Sequence, residues 1–178
     1  NLAASLAATQ RKVLLVDMDP QGNATMGSGI DKNDINLTTC DLLLGEADVA
    51  QILKRNEVGK YDVLPTNSDL TAAEVKLMQK MGKERRLRVA LSDVKNNYDY
   101  ILIDCPPALN MLTLNSLVAA DSVMIPMQCE YYALEGLSDL VETIESIRKT
   151  VNPDLKIEGL LRTMFDPRNN LANDVSGQ

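Results

Sequence analysis

Three carboxylates at the ends of two apolar runs are the residues of this chain best suited to chemistry. Val13-Leu14-Leu15-Val16 leads directly into Asp17-Met18-Asp19-Pro20-Gln21-Gly22. A short apolar run bounded by Pro and Gly reads as a central strand of an α/β sheet, and ligands of such sheets bind beyond the carboxyl ends of the strands. Side chains alternate along a strand, so Asp17 and Asp19 share a face and can reach one metal ion or water, unless the turn has already begun. The plainer reading makes either acid a cap or turn residue, because Asp is common in both places. A second run, Tyr100-Ile101-Leu102-Ile103, ends in Asp104 and is stopped by Cys105-Pro106-Pro107, where two prolines forbid the ladder from continuing. Mg2+ keeps several of its waters and takes few protein ligands, so single strand-end carboxylates suit Mg2+ carrying a nucleotide.

The polar residues nearby admit two readings. Gln21, Gly22 and Asn23 are candidate nucleotide contacts in a responsive turn, or they supply ordinary turn chemistry. Gln128, a further candidate contact, and Glu130-Tyr131-Tyr132 follow a third apolar run at 122–126, at the sheet edge where ligand groups gather; the tyrosines serve equally as packing residues. Lys83, Arg85, Arg86 and Arg88 cluster on a predicted helix. Such a run is usually a solvated face, and becomes a DNA contact only if it lies on a dimer surface. The absence of histidine removes imidazole acid–base and zinc chemistry from these 178 residues. Cys40, Cys105 and Cys129 are odd in number and lack metal-site spacing, so they read as reduced core or near-core thiols.

Three segments together resemble a known family. They are Asp17-Met18-Asp19-Pro20-Gln21-Gly22-Asn23-Ala24-Thr25, then Ile103-Asp104-Cys105-Pro106-Pro107-Ala108, then Ile125-Pro126-Met127-Gln128-Cys129-Glu130-Tyr131-Tyr132-Ala133-Leu134-Glu135-Gly136. The family is the ParA/Soj chromosome- and plasmid-partition ATPases, of the deviant Walker A class. The resemblance covers nearly the whole chain, and its most specific element is D-x-D-P-Q-G-N-A-T. Gln-Gly-Asn and the third segment favour the partition branch over MinD-type division-site ATPases and nitrogenase iron protein. The resemblance implies ATP and Mg2+ as cofactors. It implies a homodimer formed around nucleotide, non-specific DNA binding in the ATP state, stimulation by a centromere-binding ParB-type protein, and a cytoplasmic, nucleoid-associated setting without a membrane. Asp19 matches the residue that positions the attacking water near Mg2+, Asp17 the neighbouring, supporting acid, and Asp104 the Walker B acid that holds the Mg2+ hydration shell. The reaction implied is phosphoryl transfer to water, in which positioning and charge neutralisation do most of the work. An ordinary Asp, of pKa about 3.9, is a poor base at neutral pH, so Asp19 orients water rather than fully deprotonating it.

The family's phosphate loop, a Lys-Gly-Gly-x-x-x-Lys-Thr-type segment, does not occur among these residues, nor does the strand that should precede it. No G-x-x-x-x-G-K-[ST] is found, and Gly27-Ser28-Gly29 lacks the lysine such a loop needs. The expectation is one P-loop NTPase-like domain of the ParA-type AAA kind over residues 1–178, truncated at both ends, with an ATPase parent and little activity of its own. A non-catalytic truncated paralogue or fragment, or a MinD-like division-site ATPase, stays open as the alternative.

The elements that must position the acids follow from periodicity. A helix opens the chain over 1–8, followed by a strand at 12–16, a Gly/Asp/Asn-rich loop at 24–36, and short helices at 38–44 and 49–53. A strand is expected at 61–65, then a helix from Leu70 capped by Ser68 or Asp69, with helical structure up to Val94. The strand at 100–104 precedes a helix at 110–119, a strand at 122–126, a long amphipathic helix at 134–151 and a strand at 157–164. Strands separated by helices imply α/β architecture, a doubly wound and mostly parallel sheet flanked by helices. The chain is 45% hydrophobic and 24% charged, which is ordinary globular usage, and no run approaches the roughly 18 apolar residues of a membrane span. Its net charge of −7 argues against a broadly DNA-coating surface and leaves room for a local basic patch.

Overall fold

The computed structural model describes residues 1–128, 131–166 and 168, with residues 131–135 described by their backbone. It divides into two compact units, Asn1–Ala119 and Ala120–Gln178. In the first, β1 (Val13–Asp17) is the inner strand of a four-stranded sheet. It runs parallel to β3 (Tyr61–Leu64) on one side and to β4 (Tyr100–Asp104) on the other. The short β2 (Lys54–Asn56) lies antiparallel outside β3, so the order is β2-β3-β1-β4.

Alternation along the strands sends side chains to two cores. Val13 packs with Tyr61, Val63 and the small residues Ala3 and Ala7 of α1 (Leu2–Ala8), whose alanines let the helix lie close to the sheet. Leu14 and Val16 face the opposite way, into the larger core built with α3 (Thr39–Leu44), α4 (Val49–Ile52), α5 (Leu70–Leu77), α6 (Arg86–Ser92) and α7 (Met111–Ala119). Leu14, Leu43, Leu64, Leu70, Leu77, Leu87 and Leu112 are fully buried there. Each contributes about 1.5–3 kcal/mol relative to an exposed leucine. Helices on both faces of a mainly parallel sheet make this the doubly wound α/β arrangement expected from the sequence.

The second unit is a β-α-β segment. The parallel strands β5 (Ser122–Gln128) and β6 (Lys156–Thr163) are joined by α8 (Tyr131–Thr150). Ile144 and Ile147, from the expected apolar stripe, are buried, and Asn152 after the helix donates from Nδ2 to the Ala120 carbonyl at 2.9 Å.

Five departures from the sequence reading have local causes. The 24–36 loop contains a five-residue helix, α2 (Asn23–Gly27), anchored by a bond from the Thr25 N–H to the buried Asp17 carboxylate. The helical stretch expected from Leu70 to Val94 is broken, because Gly82 adopts φ +62 and a 3-10 turn at Lys83–Arg85 restarts the chain into α6. At the start of α5, Asp69 occupies the cap position without a side-chain cap bond; the Asn67 Oδ1 instead accepts from the Asp69 N–H at 3.0 Å. The polar β2 carries no apolar alternation and is held by a 2.8 Å ion pair from Arg55 to Asp62 on β3. β5 also continues past Pro126 to Gln128, since a strand tolerates proline where its partner does not require the missing N–H.

Candidate functional site

The carboxyl ends of β1 and β4 meet in register, with Asp17 opposite Asp104. The ladder extends one residue further through the Met18 N–H, which donates to the Asp104 carbonyl at 2.8 Å. Alternation places both acids on the α1 side of the sheet, the side of Val13 and Leu102. The turn has already begun by Asp19. Its N–H donates to Asp17 Oδ1 at 3.1 Å, its Oδ1 accepts from the Gln21 N–H at 2.9 Å, and its carbonyl accepts from the Gly22 N–H at 2.8 Å. Strand alternation therefore does not govern Asp19, which is held by the turn.

Asp17 is fully buried and hydrogen-bonded inward. Its Oδ2 accepts from both the N–H and the Oγ1 of Thr25, each at 2.7 Å, in addition to the Asp19 bond at Oδ1. Burial pushes its carboxyl above the ordinary range, and the Thr25 and Asp19 hydrogen bonds oppose that rise. Asp104 has the contrary surroundings. The residue is exposed as a whole and its carboxylate makes no hydrogen bond among the described residues. Partial loss of hydration at the strand end, followed by the negative charges of Asp17 and Asp19, holds it above the ordinary value. Asp19 is half-buried, and its Oδ2 has no partner among the described residues.

This donor set fits Mg2+. Asp104 and Asp19 offer free carboxylate oxygens to a hard cation, and a cation there offsets the mutual repulsion that raises Asp104. Among the described residues no three His, Cys, Asp or Glu side chains form a closed metal cage. Mg2+ that keeps its waters requires only one or two carboxylates.

The turn between the acids is braced from outside. Gly22 sits at φ +64, and a Cβ there would lie 3.0 Å from Lys32 Cδ and 3.2 Å from the Thr66 carbonyl, so glycine answers both a backbone and a space requirement. Lys32 Nζ donates to the Gln21 carbonyl at 2.6 Å. Thr25 Oγ1 accepts from the Thr66 N–H at 3.0 Å. Gln21 and Asn23 are exposed, and Asn23 opens α2. Neither Lys32 nor Thr66 carries a sequence signal for this role; Thr25 could have been found only as the last residue of the nine-residue motif.

The other candidates fall in different places. Gln128 closes β5 in the second unit, exposed, with its Nε2 3.5 Å from Met164 Sδ. Cys129 and Glu130 lie outside the described residues, as do the side chains of Tyr131 and Tyr132. Cys40 is a buried free thiol pushed up to about 11, chiefly by burial, and Cys105 is a half-buried free thiol. The basic cluster divides. Arg86 is half-buried and its Nε donates to the Leu43 carbonyl at 2.9 Å, whereas Arg85 and Arg88 are exposed.

Comparison with known proteins bears on this geometry. Residues 1–157 match the model of an AAA domain. The chromosome partitioning protein ParA of Myxococcus xanthus is 54% identical over 98% of this chain and 62% of its own length. The sporulation initiation inhibitor protein Soj of Bacillus subtilis is 53% identical, over 98% of this chain and 69% of its own. The chain thus spans about two thirds of these relatives. The crystal structure of cobyrinic acid a,c-diamide synthase from Mycobacterium smegmatis, with bound ATP analogue and magnesium, superposes with a TM-score of 0.94 at 39% identity, covering 98% of this chain and 71% of that one. No helix among the described residues is long and apolar enough to cross a membrane. With most of the chain inside the domain match, and more than half of its residues identical to those of ParA and Soj, this chain belongs to the ParA/Soj partition ATPase family.

Proposed function

We propose that this chain is the greater part of an ATP- and Mg2+-dependent partition ATPase that hydrolyses ATP to ADP and phosphate at the ends of β1 and β4. The observation that carries the reading is the division of labour among the three acids. One is saturated with hydrogen bonds and shapes the turn, and two hold free carboxylate oxygens beside it. Asp19 orients the attacking water through its free oxygen, and Asp104 holds the hydration shell of the metal. Asp17 supports both by fixing the turn. Bound Mg2+ supplies charge neutralisation to the phosphates. Gln21, Gly22 and Asn23 form the turn that responds to nucleotide, and Gln128 is a further nucleotide contact. Residues 1–178 belong to one P-loop NTPase-like domain in this reading.

ATP-dependent homodimerisation, non-specific DNA binding in the ATP state, a ParB-type partner and a nucleoid-associated, cytoplasmic setting belong to the same proposal, supported by the identity to ParA and Soj. The name of the M. smegmatis structure describes another chemistry, and the higher identities, 54% and 53% against 39%, favour partition.

The test separates the two free acids in the full-length protein. Asp19→Ala lowers ATP turnover by about 100-fold or more while Mg-ATP affinity changes little, because water positioning is felt mainly in the transition state. Asp104→Ala weakens Mg-dependent nucleotide binding instead. Steady-state kinetics and calorimetry read the difference. Parental turnover in Asp19→Ala, or identical behaviour of the two variants, rejects the assignment.

A further inference from the structure

We infer that Thr25 is a positioning residue whose hydroxyl ties the turn carrying Asp19 to the 65–69 segment, so that a change at the strand-end acids is passed to the starts of α3 and α5. The inference rests on the proposed nucleotide site. It is carried by a chain of buried hydrogen bonds. Asp17, Thr25 and Thr66 are each fully buried. A threonine hydroxyl has one proton, and at 2.7 Å from Asp17 Oδ2 that proton is given to the carboxylate. The same oxygen therefore accepts from the Thr66 N–H at 3.0 Å, across 41 residues of sequence. The two segments also lie close at Gly22, where a Cβ would stand 3.2 Å from the Thr66 carbonyl.

The far side of the 65–69 segment is equally fixed. The Pro65 carbonyl accepts from the Thr39 N–H at 2.9 Å and from its Oγ1 at 3.0 Å, at the first residue of α3. The Leu70 N–H, opening α5, donates to the Asn67 carbonyl at 3.2 Å. A rearrangement of residues 19–25 thus meets a segment hydrogen-bonded to two helix starts, and Thr25 Oγ1 is the side-chain atom that joins them. Valine has the shape of threonine without the hydroxyl, so Thr25→Val leaves the Thr66 N–H buried without its acceptor and removes one donor to Asp17.

The experiment uses the full-length protein with Mg-ATP. Calorimetry counts binding-competent molecules, steady-state hydrolysis gives kcat and KM, and amide hydrogen exchange follows residues 65–69 with and without nucleotide. In the parental protein, exchange in 65–69 changes by several-fold on adding Mg-ATP. Thr25→Val binds Mg-ATP at unchanged stoichiometry, loses that response, and lowers kcat by about 10-fold or more with KM within about threefold, as expected when a group behind a catalytic residue is removed. Thr25→Ser keeps the hydroxyl and restores both. A merely structural threonine would reduce the binding-competent fraction and leave kcat per competent molecule unchanged. Parental kcat in Thr25→Val, or Mg-ATP binding to the parental protein without any response in 65–69, overturns the inference alone; no Mg-ATP binding to the parental protein overturns the site reading and this inference together. If Thr25→Val does not fold, the parental exchange response decides.

Discussion

The ends of β1 and β4 carry the same sequence cue, an apolar run closed by an aspartate, and the register sets Asp17 directly opposite Asp104. Their surroundings are opposite. Asp17 is fully buried and accepts three hydrogen bonds from Thr25 and Asp19, while Asp104 is exposed and its carboxylate has no partner among the described residues. A strand-end acid whose oxygens are filled by its own turn is a structural clamp. One whose oxygens are left free is available to a ligand. What decides between them is the chain that follows: Asp19 and Thr25 fold back onto Asp17, whereas Pro106 and Pro107 lack the N–H groups that could return to Asp104.

The largest expected effect is therefore on stability, at the clamp. Asp17→Ala leaves the Thr25 N–H, the Thr25 hydroxyl and the Asp19 N–H without their acceptor in a buried site, and is expected to destabilise the protein by about 2–4 kcal/mol. Asp17→Asn recovers part of this loss, because its amide oxygen can accept from the two Thr25 donors while its NH2 then faces the Asp19 N–H, which stays without an acceptor. Asp104→Ala removes no hydrogen bond and is expected to cost less than about 0.5 kcal/mol. Urea unfolding of the three variants reads the contrast, and equal losses at the two positions would dissolve the distinction between clamp and free acid.

Much of this contrast lay beyond the reach of sequence. The strands, their order of apolar and polar residues, and the three acids were legible, because an apolar run closed by Pro or Gly leaves few other structures for Val13-Leu14-Leu15-Val16 or Tyr100-Ile101-Leu102-Ile103. Alternation placed Asp17 and Asp19 on one face, and the condition attached to it decided the matter, since the Asx turn at Asp19 begins before alternation can act. Lys32 and Thr66 were not legible at all. Their roles arise from contacts across 11 and 41 residues, to Gln21 and Thr25, and periodicity carries no information about such meetings. The break at Gly82 was missed because a single glycine inside a helical pattern is often tolerated.

An intermediate effect is expected in the basic cluster, where groups committed to backbone carbonyls stand beside exposed ones. Arg86 donates from Nε to the Leu43 carbonyl at the end of α3, beside Gly45 at φ +73, and Lys80 Nζ donates to the Leu44 carbonyl at 2.6 Å. Cations at a helix C-terminus satisfy its orphan carbonyls and complement its dipole. Arg86→Ala is expected to cost about 1–2 kcal/mol by thermal or urea unfolding. Arg85→Ala and Arg88→Ala, at exposed positions, are each expected to stay within about 0.5 kcal/mol. A loss at Arg88 as large as that at Arg86 would show that exposure does not mark the free members of the cluster.

The smallest effect returns to Asp104 and depends on pH. Its folded carboxyl lies above the ordinary 3.8, first through lost hydration and then through the charges of Asp17 and Asp19. The folded state therefore holds the proton more tightly than the unfolded state. That contribution to stability is fully present below about pH 3.8 and is lost as pH rises through the folded value, so at neutral pH the ionised acid is a burden on the fold. Asp104→Asn removes the charge and is expected to raise Tm by about 1–3 °C at pH 7, with the gain shrinking as pH falls toward 3.8. Part of the gain is Coulombic and screened, so 1 M salt should reduce it. Differential scanning calorimetry from pH 4 to 8 measures the trend. In the proposed reading, Mg2+ at Asp104 would supply the compensation that the asparagine makes unnecessary, so Mg-ATP should stabilise the full-length parental protein more than the variant. A gain that stays constant across this pH range, or a loss at pH 7, would show that Asp104 is not the uncompensated member of the pair.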